Sequence, residues 1–209
     1  MADATSTKSA RTAPAKTRRR QLIDATMISI SRHGISGATL TAITKEAGLS
    51  LGLVNFHFKS KDALLAETLK FLAEEHRDLW MQKLDRADFT PADKLCAIVD
   101  AQFHPRVCNR KKLSVWFAFF GEGAYRKSYR STSSEIDLER QEVCIELCRD
   151  IIAEGDYAGP SAEDVVQTLE GLFDGLWLNI LMYPDLFTRK KALGQVMSYL
   201  SLVFPKHFD

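Results

Sequence analysis

The sequence predicts an all-α protein, with a three-helix N-terminal domain containing a helix-turn-helix and a larger helical domain after it. Three observations predict it. Apolar residues recur at helical spacing along the chain, and no stretch alternates as a half-buried strand would. Residues 39–58 read as two short capped helices around a tight turn. Charge is divided as well: residues 1–61 carry ten Lys/Arg against three Asp/Glu, a net +7, which leaves −6 for the rest of a chain whose total is +1.

Size and composition set the outer limits. The 209 residues, 45% hydrophobic and 26% charged, suffice for one large or two small cores. The longest apolar run, Val115 to Phe120, is too short to span a bilayer. The Met1-Ala-Asp-Ala-Thr-Ser start lacks the apolar segment of a secretory signal. A cytoplasmic protein with no membrane partner is expected.

Taken in order, residues 1–16 are rich in Ala, Ser, Thr and Lys without apolar periodicity, and read as a disordered basic tail. Such a tail is either a flexible arm for a DNA groove or an inert extension. Residues 17–62 are expected to be the helix-turn-helix domain. Its first helix, over 17–33, is capped by Thr17, carries an apolar stripe of Ile23, Met27 and Ile30, and ends at Gly34. Thr39 caps the second helix, whose inner face is Leu40, Ile43 and Ala47. Gly48 ends it, because a residue without Cβ enters the left-handed conformation readily. Ser50 then caps a third helix with Val54 and Phe58 inward. Ser60 starts a long helix through Leu65, Leu69, Leu72, His76 and Leu79 to about Leu84. His76, on that apolar stripe, reads as a satisfied core histidine.

The remainder, 63–209, is helical pattern throughout. Pro91 opens a helix that Pro105 closes, and Leu113–Gly121 is aromatic-rich and broken at Gly121-Glu-Gly. A short segment lies near Tyr125–Tyr129, and a helix from Ile136 ends near Gly155. Pro160 and Ser161 open the next, Tyr183-Pro184-Asp185 interrupts it, and Leu193 to Val203 form the last. Cys144/Cys148 and His104/Cys108 each stand four apart, a spacing able to offer metal ligands. Buried free thiols in a reducing compartment explain them more simply, and no metal or cofactor is called for.

The basic first third suggests a polyanion partner. Arg18 and Arg19 stand with Arg20 in the first turn of a helix, where cations oppose the dipole, so phosphate contact is the economical role. Thr39 and Ser50 have hydroxyls to offer phosphate. On the third helix Leu51, Gly52, Asn55, Phe56 and His57 are not needed for the core. Gly52 permits close approach to a groove, and Asn55 can pair in bidentate fashion with an adenine edge. Phe56 either meets a thymine methyl or sugar, or simply packs.

The basic helix, Thr39 to Phe58 with its Ala47-Gly48-Leu49-Ser50 turn, and His57-Phe58-Lys59-Ser60-Lys61 before a long helix resemble the TetR family of bacterial transcription regulators. Arg18-Arg-Arg-Gln-Leu-Ile-Asp-Ala-Thr26, Val115-Trp-Phe-Ala-Phe-Phe120 and Phe173-Asp-Gly-Leu-Trp-Leu178 are similar to the BetI-type repressors within it. The long tail and Val54-Asn-Phe-His57 depart from that pattern.

The resemblance implies a homodimer on double-stranded operator DNA, with recognition helices in successive major grooves roughly 34–36 Å apart. It places His57 and Lys61 against phosphate. It makes the C-terminal domain the ligand-binding and dimerisation domain, with helices near 134–154 and 161–182 pairing across the dimer. It also implies choline or a related cation as effector, and genes of glycine betaine synthesis or choline transport as targets. Trp116, Phe119, Phe120, Tyr125 and Trp177 are candidates to line the cavity, because aromatic faces recognise quaternary ammonium. Glu122 or Asp174 is the candidate anion. Core or interface packing is the alternative for these aromatics. An unrelated hydrophobic effector, or a helical DNA-binding protein without ligand control, are the alternative functions. No triad, phosphate loop or dinucleotide fingerprint points to an enzyme.

Overall fold

Helix caps and glycines divide the chain in the computed structural model, which describes residues 14–123, 127–159 and 161–208. Helix α1 spans Ala15–Gly37, with Gly34 at φ 68° kinking it. Thr17 lies inside α1, and Pro14 precedes it without a capping side chain, so the expected Thr17 cap is not used. The kink falls where the first helix was expected to stop, and a left-handed φ there favours glycine. Helices α2 (Leu40–Ala47), α3 (Leu51–Phe58) and α4 (Lys61–Leu84) follow.

The larger part adds α5 (Pro91–Gln102), α6 (Arg110–Gly123), α7 (Lys127–Gly155), α8 (Ala162–Met182) and α9 (Arg189–Val203). The described residues form two compact units that divide within α4, after Thr68. Secondary structure among them is helical throughout. None of their helices is long and apolar enough to cross a membrane.

Leu22, Met27, Ile30, Ile43, Val54, Phe58, Leu64 and Leu65 form the buried core of the first unit. In the second, α7 packs on α5, α6 and α8, and α9 packs on α5 and α8. Leu95, Ile98, Leu113, Val115, Ile151, Val165, Leu169, Val196 and Leu200 are buried there. Thr90 and Asp93 form a reciprocal capping box around Pro91. Ser161 and Thr188 cap α8 and α9 by accepting from Asp164 and Lys191 backbone N–H groups.

Two boundaries in the second unit differ from expectation. Helix α6 continues through Gly121 to Gly123. Helix α7 begins at Lys127, so no separate segment ends at Tyr129. The end of α7 falls at Gly155, as expected, and Asp156 after it takes a left-handed φ of 48°. A helix tolerates glycine at about 1 kcal/mol relative to alanine, and packing offsets that. The Pro160 cap, Tyr125 and the tail to residue 13 lie outside the described residues.

Candidate functional site

Two places concentrate chemistry, one in each unit. In the first, Thr39 Oγ1 accepts from Ala42 N–H at 3.2 Å and starts α2. Gly48 takes φ 63°, and Leu49 N–H closes the turn on Thr44 O at 3.0 Å. Ser50 occupies the N-cap position of α3, but its hydroxyl makes no capping bond. Val54 and Phe58 turn inward and are buried.

The other side of α3 is bare. Leu51, Gly52, Asn55 and Phe56 stand at i, i+1, i+4 and i+5 on one exposed face. Phe56 is 76% exposed, which decides against packing within the protomer. The half-buried His57 ring meets it edge-on, centroids 5.0 Å apart. Thr39, Ser50, Lys45 and Lys59 are exposed around this face.

Arg18 and Arg19 are both engaged inside the unit. Arg18 is buried and donates to Gln21 Oε1 at 2.8 Å. Arg19 pairs with Glu67, donates to His57 O at 3.3 Å and lies over the Phe58 ring at 4.6 Å. Its guanidinium therefore clamps the end of α3 to α4. Arg20 forms a two-pronged contact with Asp24 at 2.9 and 3.0 Å. These partners offset the opposed helix dipole within the unit. Lys61 donates to Ile35 O at 3.1 Å, which uses one of its three N–H donors.

The second unit holds a cavity of about 420 Å³, within the range of small-molecule sites. Trp116, Phe119, Phe120, Trp177 and Asp174 line it, as expected. Trp177 anchors the wall: its Nε1 donates to Gln102 O at 2.9 Å. Its ring lies 6.3 Å from Trp116 and 5.9 Å from His76, and Trp116 lies 5.9 Å from Phe120. Glu122, half-buried on α6, is not among the lining residues.

The charged wall comes from residues that sequence reasoning passed over. Asp137, Arg140 and Gln141 on α7 and Glu170 on α8 join Asp174 around the cavity. Arg140 is buried and bridges Asp137 at 3.0 Å and Glu170 at 2.5 Å. Carboxylate neighbours raise the pKa of its guanidinium against the opposing effect of burial. Asp174 keeps an exposed side chain, yet crowding by protein, Glu170 and Asp137 raises its pKa, and only Arg140 opposes this. His76 is buried, and burial, with Arg140 nearby, lowers its pKa to about 3, so it is neutral. Among the described residues, three carboxylates then face one cation. His76 is moreover no satisfied core histidine, since its Nε2 lacks a partner. Its place on the Leu65-Leu69-Leu72 stripe was the available signal that it points inward.

The cysteines are all free thiols. Burial pushes Cys96 and Cys108 up to about 11 and Cys144 and Cys148 up to about 12. At neutral pH they stay protonated, which removes the nucleophilic form that redox sensing requires. No group of three potential metal ligands occurs among the described residues.

Comparison with known proteins places the chain among transcription regulators. Residues 22–68 match the model of bacterial regulatory proteins of the tetR family. Residues 91–205 match the C-terminal domain of BetI-type transcriptional repressors. The HTH-type transcriptional regulator BetI of Paraburkholderia xenovorans is 32% identical over 89% of this chain and 93% of its own. A putative transcriptional regulator from Pseudomonas aeruginosa superposes with TM-score 0.82 at 27% identity, covering 97% of this chain and 99% of its own. A putative regulator from Saccharomonospora viridis, solved in complex with choline, shares the fold at TM-score 0.78 and 20% identity, over 89% of this chain and 96% of its own. The chain belongs to the TetR family of bacterial transcription regulators, and its C-terminal half is of the BetI repressor type.

Proposed function

We propose that this repressor is a homodimer that reads operator DNA through the exposed face of α3 and releases it when a small organic cation, choline or a close relative, fills the cavity of the second unit. The carrying observation is the cavity's charge: Asp137, Glu170 and Asp174 outnumber Arg140 beside Trp116, Phe120 and Trp177. A quaternary ammonium has no N–H to donate, and gains about 0.5–2 kcal/mol per aromatic face instead. The choline found in the Saccharomonospora neighbour supports the same choice of ligand. An unrelated hydrophobic effector would leave the excess carboxylates without a counterion. Control of glycine betaine synthesis or choline transport genes, and a cytoplasmic location, follow from this function. Release requires the cation to prefer one conformation, since equal affinity for two states shifts neither.

Calorimetry with choline, betaine aldehyde and glycine betaine tests the proposal, with release of operator DNA as a second readout. No heat and no release would sink it. Affinity for the cation should fall on acidification, starting above the ordinary carboxylate range because the pKa of Asp174 is raised. Asp174→Asn should weaken binding at neutral pH and remove that part of the pH dependence. The sign for stability is opposite. A carboxyl whose folded pKa is raised destabilises the fold once ionised, so Asp174→Asn should raise the melting temperature of the ligand-free protein.

On the DNA side, Asn55→Ala should cost about 1–3 kcal/mol on the operator and far less on unrelated duplex. Lys61→Ala should weaken all sequences about equally and reduce the salt slope by about one. A melting curve controls for its lost bond to Ile35. If Lys61→Ala weakened one sequence alone, the phosphate assignment would be wrong.

The dimer assignment rests on where uncharged surface lies. From Glu142 on, exposed positions of α7 carry Glu142, Glu146, Arg149, Asp150, Ala153 and Glu154, and Leu138 is exposed before them. The second half of α8 exposes Gly171, Gly175, Leu178 and Met182 beside Asp174, and beyond its basic first turn α9 exposes Gly194, Gln195, Ser198 and Leu202. A methyl group added at Gly171, Gly175 or Gly194 meets nothing within 4 Å in the protomer. Helices α8 and α9 therefore supply the proposed four-helix interface, in place of the pairing of 134–154 with 161–182.

A further inference from the structure

The same tripeptide opens two helices of the second unit. Arg110-Lys111-Lys112 begin α6, and Arg189-Lys190-Lys191 begin α9. Cations in a first turn oppose the helix dipole, and α5 and α8 of the same unit carry acids there instead. The two triplets lie in acid-free stretches, 101–121 and 186–208, of the part of the chain that is acidic as a whole. Folding brings them to one end of the unit, where Arg189 Nη1 donates to Cys108 O at 3.4 Å, just before α6. Segments 104–112 and 183–191 hold seven Lys/Arg against Asp185, and Glu75 joins them from α4, a net +5.

The loop before α6 turns its acceptors inward. Asn109 Nδ2 donates to Pro105 O at 3.1 Å and to Arg106 O at 3.4 Å, and its Oδ1 accepts from Lys112 N–H at 3.1 Å. Lys112 is buried and holds both Glu75 and Arg106 O. Arg106 reaches the same carboxylate at 3.8 Å, and Lys191 Nζ donates to Leu186 O at 3.0 Å. Glu75 is thus engaged within the unit. Arg110, Lys111 and Lys190 remain exposed, with no acid paired to them among the described residues. By contrast Arg77, Arg86, Arg140 and Arg149 of this unit each hold a carboxylate.

Uncompensated cations beside engaged acceptors fit a polyanion, and duplex DNA presents one charge about every 1.7 Å of its axis. We propose that this end of the second unit is a sequence-independent phosphate-contact surface for duplex DNA, additional to the α3 face. The proposal rests on the DNA reading above, and gives the unit that holds the cavity its own contact with the duplex. Membership of a family of transcription regulators favours DNA over an anionic bilayer as the polyanion.

Salt dependence on a mixed-sequence duplex of about four helical turns tests this with the full chain. Each phosphate contact contributes about 0.9 to the slope of log affinity against log salt. Lys111→Gln with Lys190→Gln should therefore reduce the slope by about two. Lys83→Gln with Lys94→Gln removes the same charge from the end of α4 and the start of α5, and should leave the slope unchanged. The melting temperature of the first pair should not fall, because each lost cation opposed a helix dipole. An equal reduction in both pairs would be a diffuse effect of net charge and would overturn the surface. Weaker binding of the first pair to phosphatidylserine vesicles, with its duplex slope unchanged, would assign the surface to a bilayer and overturn the DNA proposal. If the unaltered protein binds no duplex, the α3 reading falls too; if it binds and the first pair matches it, this surface alone falls.

Discussion

Arg140→Ala should destabilise the second unit by about 3–5 kcal/mol, the usual cost of removing one partner from a buried ion pair. Arg140 is 5% exposed and answers Asp137 and Glu170 at once. Without it, both carboxylates and Asp174 crowd the wall of a cavity with no cation to balance them. Urea denaturation should show a lower midpoint at an unchanged slope. The deficit should shrink on acidification, because Asp174 loses the only cation that lowers its pKa and the folded state takes up the proton more readily. A loss below about 1 kcal/mol would mean that solvent screens the cluster as it does an exposed pair. Cation binding should suffer as well, so the melt must be compared with the melt of Asp174→Asn, whose stability is expected to rise.

Leu202→Glu, combined with Met182→Glu, should convert the dimer to a monomer and lower operator affinity by about 10²–10⁴-fold. A linked pair of reading heads gains that much from effective concentration, and separate heads forfeit it. The two side chains are 83% and 59% exposed in the protomer, so the substitutions disturb little of its own core. In a packed interface each would bring a charge with no partner. Sedimentation should report the protomer mass of 23.5 kDa, and the helix content should be unchanged. A variant that sediments as a dimer would place the interface elsewhere.

Much of the first unit was legible because its determinants are local. The Thr39 cap and the Gly48 left-handed turn each depend on a few consecutive residues. The arginines were not legible in that way. Arg19 finds its partner 48 positions along the chain, in Glu67, and only folding brings the two together. In the second unit the aromatic residues were named by chemistry and family pattern. Gln102, Asp137, Arg140 and Glu170 were not, because a charged or amide side chain on a helix has the same local pattern whether it faces solvent or a cavity.

By itself, then, the sequence determined the helical class, the capped turn before α3 and the division of charge, since short-range sterics and composition suffice for these. The tertiary structure decided which polar groups meet across helices. It paired Arg19 with Glu67, bared Phe56 and assembled a carboxylate-rich wall around Arg140. Burial and pairing are properties of the packed state, where partners distant in sequence share one environment.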